Sequence, residues 1–204
     1  MVQKEPRPRG RPRSFEAEVV LAKAREVFWR LGYSAASLDD IAAATGLNRP
    51  SLYAAFGDKH TLYMRALEET RASGIAGLQR LIDRDGPLRT VLGGLLEAAI
   101  AIYSEGDSGP RGCFIVGTAV TQALGDPQAR ALLTTFIAQE DAAFMRRFAK
   151  CADELAPGMT PEAAAMVATA ALQSLAIRSR AGEEPSDLRR LAAAAVTGIC
   201  GPAA

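Results

Sequence analysis

From about residue 14 onward, apolar residues recur every three or four positions, and short clusters of Gly, Pro, Asp and Ser break the rhythm at intervals. That spacing lays one apolar stripe along a 3.6-residue helix, whereas the strict alternation of a half-buried strand is nearly absent. The pattern predicts an all-α chain of about nine helices. The first begins near Ser14, has Glu16 and Glu18 in its first turn, and carries Val20, Ala24, Val27, Phe28 and Leu31 inward up to Gly32. Ser37 and Asp40 have the spacing of a capping box, predicting a short second helix with Leu38 and Ile41 inward and an end near Thr45-Gly46. Asn48 can cap a third, which tolerates Pro50 in its first turn and turns Leu52 and Phe56 to the core. Gly57 closes it, and Asp58 caps a long fourth helix from Lys59 to about Arg80. Breaks at Gly86-Pro87, residues 106–112, Gly125 to Pro127, Pro157-Gly158 and Gly182 to Pro185 separate five more, the last two alanine-rich at about 161–181 and 186–199.

Composition narrows the class. With 204 residues, 49% of them hydrophobic, the chain can bury a sizeable core. Its net charge of +1 conceals a basic front: residues 1–13 contain Lys4, Arg7, Arg9, Arg11 and Arg13 against Glu5 alone. Such asymmetry points to a polyanion held at one end. The three cysteines, Cys113, Cys151 and Cys200, form no CxxC pair, so neither a disulfide framework nor a metal site is expected. No apolar run approaches the roughly 20 residues of a membrane span, so the expectation is a soluble, cytoplasmic protein without cofactor or membrane partner.

Two short helices joined at Thr45-Gly46-Leu47, behind a longer supporting helix, have the proportions of a helix-turn-helix. The second would present Asn48, Arg49 and Ser51, an amide, a guanidinium and a hydroxyl, to the major groove of double-stranded DNA, where bidentate Arg–guanine pairing is the commonest specific contact. Ser37 and Thr45 flank the supporting helix where phosphates would pass. Tyr53 lies one turn beyond Arg49, and Lys59 and His60 open the fourth helix on the same side. Arg9-Gly10-Arg11-Pro12 resembles the core of an AT-hook, so residues 1–13 read as a minor-groove arm.

The stretch SLDDIAAATGLNRPSLYAAFGDKHTLY, residues 37–63, resembles the DNA-binding domain of the TetR family of bacterial transcriptional regulators; residues 15–37 resemble that family's first helix. The resemblance implies a dimeric, ligand-responsive repressor on a palindromic operator, with DNA contacts from Ser37, Thr45, Arg49, Ser51, Tyr53 and Lys59. Ala54 and Ala55 stand where many members carry histidine or another polar residue, which shifts the reading load onto Asn48, Arg49 and Ser51. It also implies three parts: the arm 1–13, a DNA-binding domain 14–70, and a ligand-binding and dimerisation domain 71–204. RGCFIVGTAV, residues 111–120, is similar to a Gly-Cys motif opening a central helix in part of the family.

A pocket among the middle helices is then expected for a small-molecule effector of unknown identity, lined by Tyr103, Cys113, Phe114, Thr118, Thr121, Gln122, Phe136 and Gln139. Cys113 follows Arg111 at a helix start, an arrangement that can lower a thiol pKa and so admits a redox role; burial would make the thiol structural. A homodimer is expected through Ala163 to Ala165, Ala168, Ala171, Leu172, Leu175, Leu191 and Val196. Two other readings remain. A small helical enzyme would need a catalytic constellation, yet the chain has one histidine and no G-x-S-x-G or phosphate loop. An architectural DNA-binding protein would use the arm but leave some 120 C-terminal residues without a task.

Overall fold

The computed structural model describes residues 13–106 and 109–202, with side chains from Ala17 onward. Arg9 and Arg11 of the expected arm, and the Arg13 side chain, lie outside the described residues. Among the described residues there are nine α-helices: α1 (Arg13–Ala35), α2 (Leu38–Thr45), α3 (Arg49–Phe56), α4 (Lys59–Ile82), α5 (Leu88–Ser104), α6 (Phe114–Gln122), α7 (Pro127–Lys150), α8 (Pro161–Arg180) and α9 (Pro185–Cys200). A single 3-10 turn follows α7. None of these helices is long and apolar enough to cross a membrane.

Local chemistry sets the first four elements. Gly32, at φ 77°, kinks the end of α1 in a conformation that only glycine adopts readily. The Lys59 ammonium then donates to the carbonyls of Tyr33 and Ala36, both at 2.8 Å, filling acceptors that the end of α1 leaves open. Ser37 and Asp40 form the expected reciprocal capping box. Asn48 accepts from the Ser51 backbone at 2.9 Å, and Asp58 from that of Thr61 at 2.7 Å. Leu31, assigned inward by spacing, instead lies on the exposed side.

Two apolar clusters hold the molecule together. One joins Ala24, Phe28, Ile41, Leu52, Phe56 and Tyr63 of α1–α4 to Phe114, Ile115 and Ala119 of α6 and to Leu132 and Phe136 of α7. Phe28 meets the edge of Tyr63 at 5.2 Å, and Tyr63 the edge of Phe114 at 6.1 Å. The helix-turn-helix core is therefore closed by residues from far along the chain. α4 runs unbroken through residue 70, where sequence puts a domain boundary. The second cluster packs the end of α4 with α5, the second half of α7, α8 and α9.

That second cluster corrects the expected dimer contacts. Ala164, Ala165, Ala168, Ala171, Leu172, Leu175 and Val196 are buried within their own chain, and Leu191 packs partly against the same core. Of the expected residues of α8 only Ala163 lies on its outward face, together with Met166, Val167, Ala170 and Ile177, with Met166 65% and Ile177 58% exposed. Alanine spacing marks close helix packing, but not whether the neighbouring helix belongs to the same chain.

Because Phe114 is buried in a core shared by α1, α4 and α6, Phe114→Ala should cost about 3–5 kcal/mol. In urea titrations, Trp29 fluorescence and far-ultraviolet circular dichroism should report one coincident transition, shifted to lower denaturant. Two separated transitions would show that the helix-turn-helix folds independently.

Candidate nucleic-acid interface and inner cavity

α3 buries Leu52 and Phe56 and turns Arg49, Ser51, Tyr53, Ala54 and Ala55 to the surface. Its first turn is anchored by the Asn48 carbonyl oxygen, which leaves the Asn48 amide donors pointing away from the helix. Tyr53, further along α3, is 52% exposed. Asn48, Arg49, Ser51 and Tyr53 are thus all exposed at the start of α3 and along it.

One partner of these residues is not predicted. The Arg49 guanidinium makes a two-point ion pair with the exposed carboxylate of Asp39, in the first turn of α2. The hydrogen bond from Arg49 holds the Asp39 carboxyl below its usual range. An acidic residue next to the capping pair, about two turns before the loop leading to α3, is the signal available in the sequence.

Other predicted contacts are engaged elsewhere. The Ser37 hydroxyl is hydrogen-bonded to Asp40, and Thr45 donates to the carbonyl of Ile41 at 2.7 Å. Lys59 is tied to the end of α1 and lies over the Tyr33 ring at 4.4 Å. His60 faces Asp126 at 2.7 Å, across the junction between α4 and the start of α7. Lys59 thus ties α4 to α1 within the helix-turn-helix unit, and His60 ties that unit to α7.

Behind α1 lies the second junction. The Trp29 indole donates to the carbonyl of Arg111 at 2.9 Å, and the Arg111 guanidinium lies over that ring at 4.3 Å and bridges to Glu26 at 3.0 Å. Arg180, at the end of α8, donates to the carbonyls of Trp29 and Arg111. Gly112, at φ 63°, passes so close to α8 that a Cβ would sit 2.3 Å from the carbonyl oxygen of Ala176. The Arg-Gly-Cys run is thereby held between α1 and α8.

Next to this clamp is a cavity of about 410 Å³, within the range of small-molecule sites. Tyr103, Cys113, Phe114 and Phe136 line it, as expected. The other four expected residues do not. Thr118 is buried on the helix-turn-helix side, accepting from the Tyr63 hydroxyl at 2.9 Å. Thr121 donates to the Thr118 carbonyl, Gln122 reaches Ser34, and Gln139 accepts from Arg71. Trp29, Arg25 and Glu140 line the wall instead. Cys113 is not an activated thiol: burial pushes its pKa up to about 11, and the nearby guanidinium is committed to Trp29 and Glu26.

Glu140 is only 3% exposed, and burial raises its carboxyl from 4.5 to about 7. A carboxyl with a raised folded-state pKa favours the fold fully below the unfolded value, and loses that contribution as pH climbs through the folded one. Relative to Glu140→Gln, the native protein should therefore lose about 2–3 kcal/mol between pH 5 and pH 8 in urea titrations. A constant difference between the two would mean that the carboxyl does not change ionisation over this range.

Residues 20–66 match the family described as "Bacterial regulatory proteins, tetR family". The HTH-type transcriptional repressor BdcR of Escherichia coli (strain K12) is 34% identical over 130 residues, 64% of either chain. The HTH-type transcriptional repressor ComR of the same organism is 32% identical over 55% of this chain and 54% of its own. The chain thus spans under two thirds of the curated relatives it matches. The TetR family transcriptional regulator CifR, solved as a cysteine mutant with 26-base-pair operator DNA, superimposes with a TM-score of 0.76 at 28% identity, over 93% of this chain and 98% of its own. Residues 20–66 thus carry the DNA-binding unit described for the tetR family, and the chain as a whole is similar in sequence and helical fold to regulators of that family.

Proposed function

We propose that the protein is a DNA-binding transcriptional repressor that acts as a homodimer on a palindromic operator and is released by a small molecule. One observation carries this reading: Asn48, Arg49, Ser51 and Tyr53 are all exposed on a short capped helix that follows the turn of a helix-turn-helix. In this reading α3 enters the major groove, and the cavity beside the Trp29–Arg111 clamp is the effector site. The curated relatives are named as repressors and CifR was solved on its operator, both of which support it. A ligand alters DNA affinity only by favouring one separation of the reading heads, and a coupling of about 1–3 kcal/mol corresponds to a 5- to 150-fold change.

The second copy is assigned to the outward face of α8, with Met166, Val167 and Ile177 at its centre and the small residues Ala193, Ala194 and Gly198 of α9 alongside. Contact there would cover side chains that otherwise leave apolar surface in water. Arg9, Arg11 and Arg13 belong to the arm that would follow the flanking minor groove.

Selection of bound sequences, beginning with DNA upstream of the protein's own gene, should recover a palindrome bound roughly 10³-fold or more tightly than random DNA at the same salt. A ratio near one would overturn the repressor reading. Within that site, Arg49→Ala should weaken specific binding by about 1–3 kcal/mol and relax one base position. Asp39→Ala, which frees the guanidinium and removes a negative charge near the phosphates, should change affinity only about two- to fivefold and broaden the base preference there.

Light scattering at micromolar concentration should give a dimer, and Met166→Glu combined with Ile177→Glu should give a folded monomer with helix content unchanged. A native monomer would remove both the interface and the palindrome.

A further inference from the structure

Glu140 sits midway along α7 in the cavity wall, and its carboxyl lacks a counter-charge. Oε2 accepts from Nε2 of Gln173 at 3.0 Å, while Oε1 has no hydrogen-bond partner among the described residues. The groups that act on this carboxyl are its burial, Gln173 of α8 and Asp141 of its own helix. Tyr103 of α5 and Cys113 face the same space, and both are pushed up by burial and by Glu140 itself. The guanidinium groups of Arg25, Arg80 and Arg111 also border the cavity, but none acts on the Glu140 carboxyl. The apolar part of the cavity wall includes Leu78, Leu95, Phe136 and Leu172.

An ionised carboxyl buried in such a wall is costly unless paired. A charge-assisted hydrogen bond from an ammonium group is shorter and about twice as strong as a neutral one. We propose that the cavity takes a small organic ammonium ion, its apolar body against the leucine and phenylalanine wall and its N–H donating to Oε1 of Glu140. The assignment deepens the effector-site reading, and rests on it for any consequence at DNA. Binding the cation requires Glu140 ionised, so a carboxyl that titrates near pH 7 releases its proton as the ligand enters. Tyr103 and Cys113, both pushed up by burial, keep their protons across this range, which leaves Glu140 as the group that titrates there.

The test titrates the intact protein with 2-phenylethylammonium, its neutral isostere 2-phenylethanol and its anionic counterpart 3-phenylpropanoate, read by calorimetry and by Trp29 fluorescence. At pH 8 the ammonium ion should bind at least tenfold more tightly than either comparator. That advantage should shrink towards pH 6, vanish in Glu140→Gln with alcohol binding retained, and persist in Glu140→Asp. Tighter binding of the alcohol or the carboxylate at pH 8, no binding of the ammonium ion, or a preference surviving in Glu140→Gln would overturn the assignment. Operator affinity is measured separately in each case. Ammonium binding that leaves it unchanged would support the ligand class and overturn the effector-site reading. Intact operator binding without ammonium preference would overturn the ligand class alone.

Discussion

A helix-turn-helix of this size has too little apolar surface to finish its own core, and the chain meets that constraint by lending it Phe114 and Ile115 from α6. The aromatic sequence Phe28, Tyr63, Phe114, Trp29 follows from that loan, each ring contacting the next at 5.2–6.1 Å. Because Trp29 also borders the inner cavity, one packed group of rings connects the base of the reading helices to the space where a ligand would sit. Displacing α6 therefore disturbs the helix-turn-helix at its core, where packing tolerates little change of volume.

The clamp on Arg111 and Gly112 fixes where that displacement can go. Trp29 and Arg180 hold the segment by its backbone carbonyl, and Gly112 lets it lie against α8. α1 and α8 are thereby linked through one short piece of chain. Of the side chains that sequence assigns to DNA, His60 adds a further tie to α7, while Lys59 fastens α4 to α1.

The helices that carry the reading face were legible because their signals are local: Ser37, Asn48 and Asp58 bond backbone groups three residues away, and turn glycines follow directly. The cavity was half legible. Tyr103 and Phe136 lie on helix faces that periodicity identifies, whereas Glu140, next to Asp141, has the sequence appearance of a solvated surface pair. Only tertiary packing shows that Glu140 turns inward. Asp39 escaped notice because its importance arises ten residues away in the chain, at Arg49. The α8 face was misread for a related reason: Ala168 and Leu175 announce a close neighbour but not its identity.

Asp126 divides its two oxygens between two tasks. Oδ1 accepts from the backbone N–H groups of Gln128 and Ala129, fixing the start of α7, and Oδ2 takes the His60 ring. The His60 contact can therefore open without loosening the helix cap that shares the carboxylate. The joint behaves as a latch whose catch opens without loosening the post to which it is fixed.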